Sequence, residues 1–108
     1  MVKIDLGVQV DDYPVVLAHT LIVGKTEDEK KLKAASAAYH ALTTAIKLIN
    51  TDNNNYDCTD AIEKICKAFE VSAMEGVISH ELEREVIDGD KVIQSVSDAN
   101  NRVEKFQF

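Results

Sequence analysis

The sequence predicts an α+β fold, and three patterns support that prediction. Residues 2–11 alternate strictly between apolar side chains and polar or small ones, which is the period of a strand with one buried and one solvent-facing side. A second apolar run follows the turn residues Asp11 and Asp12, so the two runs are typical of a β-hairpin. Farther along, apolar residues recur at spacings of three and four, which indicates two helices. Two helices on one face of a mostly antiparallel sheet make an α+β layout.

The first helix is predicted at roughly residues 27–50. Thr26 and Glu29 have the spacing of a capping box, in which each side chain satisfies a backbone amide at the start of the helix. The predicted apolar stripe consists of Leu32, Ala35, Tyr39, Leu42, Ile46 and Ile49. His40 lies next to this stripe and is interpreted as a packing or surface residue. The polar run 50–55 is expected to end the helix.

The second half of the chain predicts one more helix and several short strands. Thr59 is the predicted N-cap of the second helix, and the apolar face consists of Ala61, Ile62, Ile65, Ala68 and Phe69. Strands are expected at 73–78 and 91–93, followed by a polar loop at 95–102. The alternation at 103–108 predicts the start of a last strand.

Length and composition indicate a single globular domain over residues 1–108, since 45% of the residues are apolar. No apolar run approaches the length of a membrane span and no signal peptide opens the chain, so no membrane association is expected. The expected location is the cytoplasm, with the nucleus and nucleolus as further compartments.

Cys58 and Cys66 lack a CxxC pattern and are predicted to be reduced thiols, neither a disulfide nor a zinc site.

The net charge of −7 argues against a broad nucleic-acid-binding face. Lysines do cluster near the start of the first helix, at Lys25, Lys30, Lys31 and Lys33. The acidic residues 27–29 interrupt this cluster, which is typical of a solvated helix face, with RNA contact as the alternative interpretation. No charged patch or aromatic ladder is distinctive enough to name nucleic-acid contact residues.

Two blocks of sequence resemble a known family. Residues 2–8 with Ala18-His19-Thr20, and residues 75–82 with 86–91, are similar in order and spacing to the pita-bread family of methionine aminopeptidases. The resemblance is strongest to its proliferation-associated, ErbB-receptor-binding-protein-like branch, which keeps the fold without peptidase activity. The resemblance implies a partial pita-bread (creatinase/aminopeptidase) fold.

Active members of that family hold two metal ions with two Asp, one His and two Glu, because the metals must polarise the carbonyl group and activate a bridging water. By resemblance, the first Asp corresponds to Asp5. The second corresponds to Val16 and the ligand His to Val77, and the final Glu ligands would lie beyond Phe108. An isopropyl group cannot bind a metal, so the resemblance implies a protein with no metal cofactor and no peptidase activity.

Three further residues bear on this interpretation. His80 is three residues from Val77, an odd offset that points it to the opposite side of a strand, so it is predicted to be a strand-end His and not a replacement ligand. Glu85 stands where the family has another His, thought to contact substrate. Asp5 has two interpretations, a vestigial ligand that binds a cation weakly or a polar residue on the wet face paired with Lys3, and the second is favoured.

The resemblance implies a binding platform for ribosomal or structured RNA and protein partners in growth control or ribosome biogenesis. The alternatives are a type-two methionine aminopeptidase with a rearranged metal site and a stand-alone interaction module. Family members are several times this length, so we expect the chain to be a central fragment. Uncovered strand edges would then lead it to self-associate.

Overall fold

The computed structural model describes residues 1–25 and 28–108. The elements occur in the order strand, strand, helix, helix, strand, strand, which confirms the α+β prediction. They are β1 (Val2–Val10), β2 (Tyr13–Leu21), α1 (Glu29–Leu48), α2 (Asn55–Ala68), β3 (Ile78–His80) and β4 (Val92–Gln94). The strands form two separate two-stranded sheets, β1–β2 and β3–β4.

The predicted hairpin is confirmed, with β1 antiparallel to β2 from the Val2–Leu21 pair to the Val10–Tyr13 pair. Asp11 and Asp12 form the two-residue turn with φ angles of 49° and 68°. Two successive left-handed residues give a turn whose twist matches that of the paired strands, and Asp tolerates this region better than most residues. Pro14 pairs with Gln9, one position beyond the pair that flanks the turn. At that position the amide that proline lacks would point away from β1, so the ladder loses no bond.

Helix α1 begins two residues later than predicted, at Glu29. Its N-cap is Asp28, whose carboxylate accepts a hydrogen bond from the Lys31 amide at 3.3 Å. Thr26 and Glu27 lie outside the described residues, and so does the predicted capping box. The helix ends at Leu48, two residues earlier than predicted.

The buried side of α1 differs from the predicted stripe. The buried residues are Ala37, Ala41 and Ala45, spaced by four. Their small side chains allow α2 to approach closely, and the buried Cys58 thiol donates to the Ala45 carbonyl oxygen at 3.7 Å. Leu32, Tyr39, Leu42, Ile46 and Ile49, which make up most of the predicted apolar stripe, are 40–61% exposed. The prediction was wrong because it weighted large apolar residues, whereas close packing of two helices selects small ones.

Helix α2 begins at Asn55, and Thr59 is not its N-cap. The cap is Asn54, which forms a capping box with Asp57: the Asn54 amide donates to Asp57 Oδ2 at 2.8 Å. Thr59 is buried one turn inside the helix, where its hydroxyl donates to the Gln94 carbonyl oxygen at 2.9 Å. The polar run 50–55 therefore follows α1 and also contains the N-cap and first residue of α2.

The second sheet is shorter and later than predicted, with His80 pairing with Val92 and Ile78 with Gln94. The predicted strand at 103–108 was wrong. Among the described residues, segment 103–108 forms a single bridge, between Gln107 and Asn54. It packs beside the start of α2 and not beside another strand.

The structure is more open than a compact domain of its size. It exposes 8315 Å², whereas a folded domain of 12.0 kDa exposes about 6000 Å². Its radius of gyration is 15.1 Å, compared with about 13 Å for a compact chain of this length. All nine residues of β1 are exposed, so the prediction that one face of this strand is buried is not met within the described residues. No helix among the described residues is long and apolar enough to cross a bilayer.

Candidate functional site

Asp5 and Val16 lie on the same face of the hairpin. Asp5 pairs with Ala18, and Gly7 pairs with Val16, so the carboxylate and the isopropyl group are diagonal neighbours across the two strands. Both side chains are exposed. Asp5 and Lys3 form no ion pair within residues 1–25 and 28–108. The structure thus brings together the two hairpin positions that the sequence singled out.

A groove of about 480 Å³ lies between the open end of the hairpin and α1. Asp5 lines it together with Ala18 on β2 and with Ala35 and Tyr39 on α1. Lys3, His19 and Lys31 line the groove as well, so Asp5 is its single carboxylate, among basic side chains and hydrocarbon.

Val77 lines a different groove, of about 400 Å³, between the two helices and the second sheet. Its carbonyl oxygen accepts a hydrogen bond from the Ser95 amide at 3.0 Å, which fixes the chain just before β3. Ser79 lines the same groove, but Asp5 and Val16 do not. Asp5 and Val77 therefore line different grooves, which share Ala34, Ala38 and Leu42 on α1.

His80 is the last residue of β3 and does not line the groove of Val77 and Ser79, as strand alternation predicts. Its Nδ1 lies 3.3 Å from the Glu81 carbonyl oxygen, and its Nε2 lies 3.7 Å from the Asp88 carboxylate. These contacts hold the ring against the loop that follows β3.

Glu85 lies at the tip of that loop, with a φ angle of 62°. Its amide donates to the carbonyl oxygen of Asp12 in the hairpin turn at 2.7 Å. The neighbouring Arg84 forms an ion pair with the Asp12 carboxylate at 2.9 Å. Consequently, the position where the family would place a substrate-contacting His serves here to join the loop to the hairpin.

The same loop is closed at its base by Glu81 and Lys91. The Glu81 amide donates to the Lys91 carbonyl oxygen at 2.9 Å, and the Lys91 ammonium group is 2.7 Å from the Glu81 carboxylate. The hydrogen bond between the two side chains lowers the pKa of Glu81 and raises the pKa of Lys91. Both groups therefore stay charged near neutral pH, and neither has the pKa expected of a general acid or base.

No group of three or more His, Cys, Asp or Glu side chains in the described ranges is placed to hold a metal ion. The lysine cluster of α1 is partly neutralised. Lys31 pairs with Asp28 at 2.9 Å, and Lys33 pairs with Glu70 beyond the end of α2. These pairs support the interpretation of a solvated helix face.

One cationic and aromatic cluster was missed by sequence reasoning. The Arg102 guanidinium and the Lys105 ammonium lie 5.7 Å and 5.8 Å from the centre of the Tyr56 ring. The Tyr56 hydroxyl donates to the Val103 carbonyl oxygen at 2.8 Å, and this hydrogen bond holds the C-terminal segment 102–105 against α2. Because 46 or more residues separate these side chains, only the fold shows that they meet.

The hairpin, the two helices and the second sheet match a known family over nearly their whole length. The sequence profile of metallopeptidase family M24 matches residues 1–105, and the chain belongs to this family. It is 39% identical over 112 residues to Proliferation-associated protein A of Dictyostelium discoideum and 36% identical over 109 residues to ERBB-3 binding protein 1 of Arabidopsis thaliana. It is 35% identical over 113 residues to Curved DNA-binding protein of Schizosaccharomyces pombe.

These alignments include the whole of this chain but only 28–29% of each relative. The chain thus spans less than a third of the length of the relatives that it matches. The resemblance to the proliferation-associated branch is confirmed by the names and identities of these relatives.

Proposed function

We propose that the chain is part of a non-catalytic M24-family protein that acts as a binding platform. Its proposed partners are structured or ribosomal RNA and proteins, in growth control or ribosome biogenesis. Two relatives are named for proliferation and for binding ErbB-3, and a third is named for binding curved DNA. We place the protein in the cytoplasm, with the nucleus and nucleolus as further compartments.

The observation that carries the non-catalytic proposal is the relation between Asp5 and Val16. Hydrolysis at a dinuclear centre needs several oxygen and nitrogen donors around one cavity. Here one carboxylate has an isopropyl group as its diagonal neighbour, and Val77 lines another groove. This donor set does not fit two metal ions, because a lone exposed carboxylate holds a divalent cation weakly.

A turnover assay tests this proposal. Incubation of the protein with Co²⁺ or Mn²⁺ and a peptide that begins with Met should release no methionine above the protein-free control. An Asp5→Ala variant serves as the matched control, because activity that belongs to this site would be lost with the carboxylate. Metal-dependent release that disappears in the Asp5→Ala variant would refute the proposal.

The proposed nucleic-acid contact is the cluster of Tyr56, Arg102 and Lys105. A net charge of −7 argues against a broad basic face, whereas two cations beside one ring make a local contact for a phosphate and a base. Asp60 lines the same small cavity as Tyr56 and Arg102, so one carboxylate also lies close to the cluster.

The test uses the protein expressed from its own gene, with a tag, and follows its sedimentation with ribosomes. We expect cosedimentation that falls with increasing salt. Replacing Arg102 and Lys105 with Ala should weaken binding to ribosomal RNA by about 10-fold. Replacing the exposed pair Lys64 and Lys67 with Ala removes the same charge from α2 and should have a smaller effect. Equal effects of the two double variants, or absence of the wild type from ribosomal fractions, would argue against this proposal.

A further inference from the structure

Residues 101–106 form neither a helix nor a strand, yet their backbone is fixed by side chains from other elements. Backbone groups outside regular structure need partners from elsewhere, and here α2 and β4 supply them. The side-chain donors and the carbonyl oxygens that accept are Gln94 to Asn101 at 2.7 Å, Tyr56 to Val103 at 2.8 Å and Asn55 to Glu104 at 2.9 Å. The Asn55 side-chain oxygen also accepts from the Phe106 amide at 3.1 Å. Asn55 and Gln94 are buried, so they hold the segment from inside the fold.

The two cations of the Tyr56 cluster lie between these fixed points. Asn101 and Val103 flank Arg102, and Glu104 and Phe106 flank Lys105. Both basic side chains end beside the same aromatic ring, so each is also held at its charged end. The conformational freedom of the segment is therefore lost on folding and need not be lost again when a ligand binds, which is the basis of preorganisation.

The charges of this cluster favour an anionic ligand. Arg102 and Lys105 both lie within 5.8 Å of the centre of one ring, so their like charges repel each other. Neither side chain forms an ion pair within residues 1–25 and 28–108. Asp60 lines a cavity together with Arg102 but is not within ion-pair distance of it. A phosphate bound by both cations would relieve the repulsion that the fold maintains.

We propose that Asn55, Gln94 and the Tyr56 hydroxyl position the nucleic-acid contact: they fix residues 101–106 so that Arg102 and Lys105 meet the phosphates of the ligand in one arrangement. This role rests on the proposed function and adds to it the residues that build the contact without touching the ligand. Because phosphates carry no sequence information, binding at this cluster is independent of the sequence of the nucleic acid.

Tyr56→Phe tests this positioning role, because it removes the hydroxyl that holds Val103 but keeps the aromatic ring and both cations. Hydrogen exchange of residues 101–106, measured without nucleic acid on the protein expressed from its own gene, should become at least about threefold faster, as expected for the loss of one hydrogen bond. The Kd for ribosomal RNA should rise by about threefold or more, because Arg102 then has to be immobilised on binding. Tyr39→Phe, the same change at an exposed position of α1, is the control and should change neither quantity.

Slow alkylation of the buried Cys58 thiol checks that both variants keep the helical pair. Faster exchange of the segment together with weaker RNA binding in Tyr56→Phe supports the positioning role. Faster exchange with unchanged affinity overturns it, since the hydrogen bond then serves only the fold. Unchanged exchange also overturns it, because the hydroxyl then does not hold the segment. A wild type that does not bind ribosomal RNA is a different result: it refutes the proposed function, and with it the ligand named for this contact.

Discussion

The side-chain amide of Asn55 donates a hydrogen bond to the carbonyl oxygen of Glu104 at 2.9 Å, across 49 residues of sequence. The same amide group donates to the Val92 carbonyl oxygen at 3.1 Å, and the Asn55 side-chain oxygen accepts from the Phe106 amide at 3.1 Å. Asn55 is fully buried. One side chain therefore joins the first turn of α2 to β4 and to the C-terminal segment.

Asn55→Ala should destabilise the fold by about 2–4 kcal/mol, because it leaves buried backbone groups without partners. Asn55→Asp should be at least as harmful, since it turns a carboxylate oxygen toward two carbonyl oxygens. Urea unfolding followed by circular dichroism measures both effects. Asn100→Ala, at an exposed position, is the control and should change the free energy of unfolding by less than about 0.5 kcal/mol. A similar loss in all three variants would exclude a special role for Asn55.

Cys58 and Cys66 should differ in their reactivity with alkylating reagents. Cys58 is fully buried and burial raises the pKa of its thiol, with a smaller contribution from the Asp57 carboxylate, so little thiolate forms near neutral pH. Cys66 is only partly covered. Labelling with iodoacetamide and mass spectrometry should find Cys66 modified first, and Cys58 modified mainly after urea is added. In a Cys66→Ser variant, rapid labelling of Cys58 without urea would show that the helical pair opens readily.

Much of the fold could be predicted from local signals. The alternation of β1 and the two left-handed positions at Asp11 and Asp12 involve neighbouring residues, so the hairpin and its turn are visible in the sequence.

The core could not be predicted in the same way. Ala37, Ala41 and Ala45 are buried because α2 lies against them, and apolar periodicity alone favours the larger residues on the other faces of α1. The cap at Asn54 was missed because several polar residues precede it and each could cap.

The residues of the candidate site could be predicted only at positions that the family resemblance supplied. Asp5 and Val16 were singled out in this way, and the strand register places them on one face of the hairpin. The contact between Glu85 and Asp12 and the cluster around Tyr56 have no such signal. These contacts join residues far apart in sequence, and only the packing of the loops decides which side chains meet.

The ion pair between Lys33 and Glu70 should make a pH-dependent contribution to stability. The hydrogen bond from Lys33 holds the pKa of Glu70 below its usual value of 4.5 and raises the pKa of Lys33 above 10.5. The pair therefore stabilises the fold above pH 4.5, and this contribution is lost as the pH falls through the folded-state pKa of Glu70. At alkaline pH it persists until the pH rises through the folded-state pKa of Lys33.

Lys33→Met tests this pH dependence by thermal unfolding. The variant should have a lower Tm than the wild type at neutral pH, and the difference should shrink toward zero as Glu70 becomes protonated. Lys64→Met is the control, since Lys64 is exposed on α2, and its Tm difference should stay small at all pH values. High salt should also reduce the effect at Lys33, because both partners are exposed. A difference that is independent of pH would assign the effect to the hydrocarbon part of the side chain.

The backbone at position 89 lies so close to Glu81 that only glycine fits there. Its amide donates to the Glu81 carbonyl oxygen at 3.0 Å, and a Cβ atom at this position would lie 2.9 Å from both that oxygen and the Glu81 Cβ. Gly89→Ala should therefore displace backbone atoms at the base of the loop and cost about 1–3 kcal/mol. Hydrogen exchange of the Glu81 amide, which donates to Lys91, should become faster in the variant. Gly7→Ala is the control, because its nearest neighbour would be Val16 Cγ1 at an ordinary 3.8 Å, and it should be neutral or slightly stabilising. Unchanged exchange at Glu81 in Gly89→Ala would mean that the loop does not need the close approach seen between these two residues.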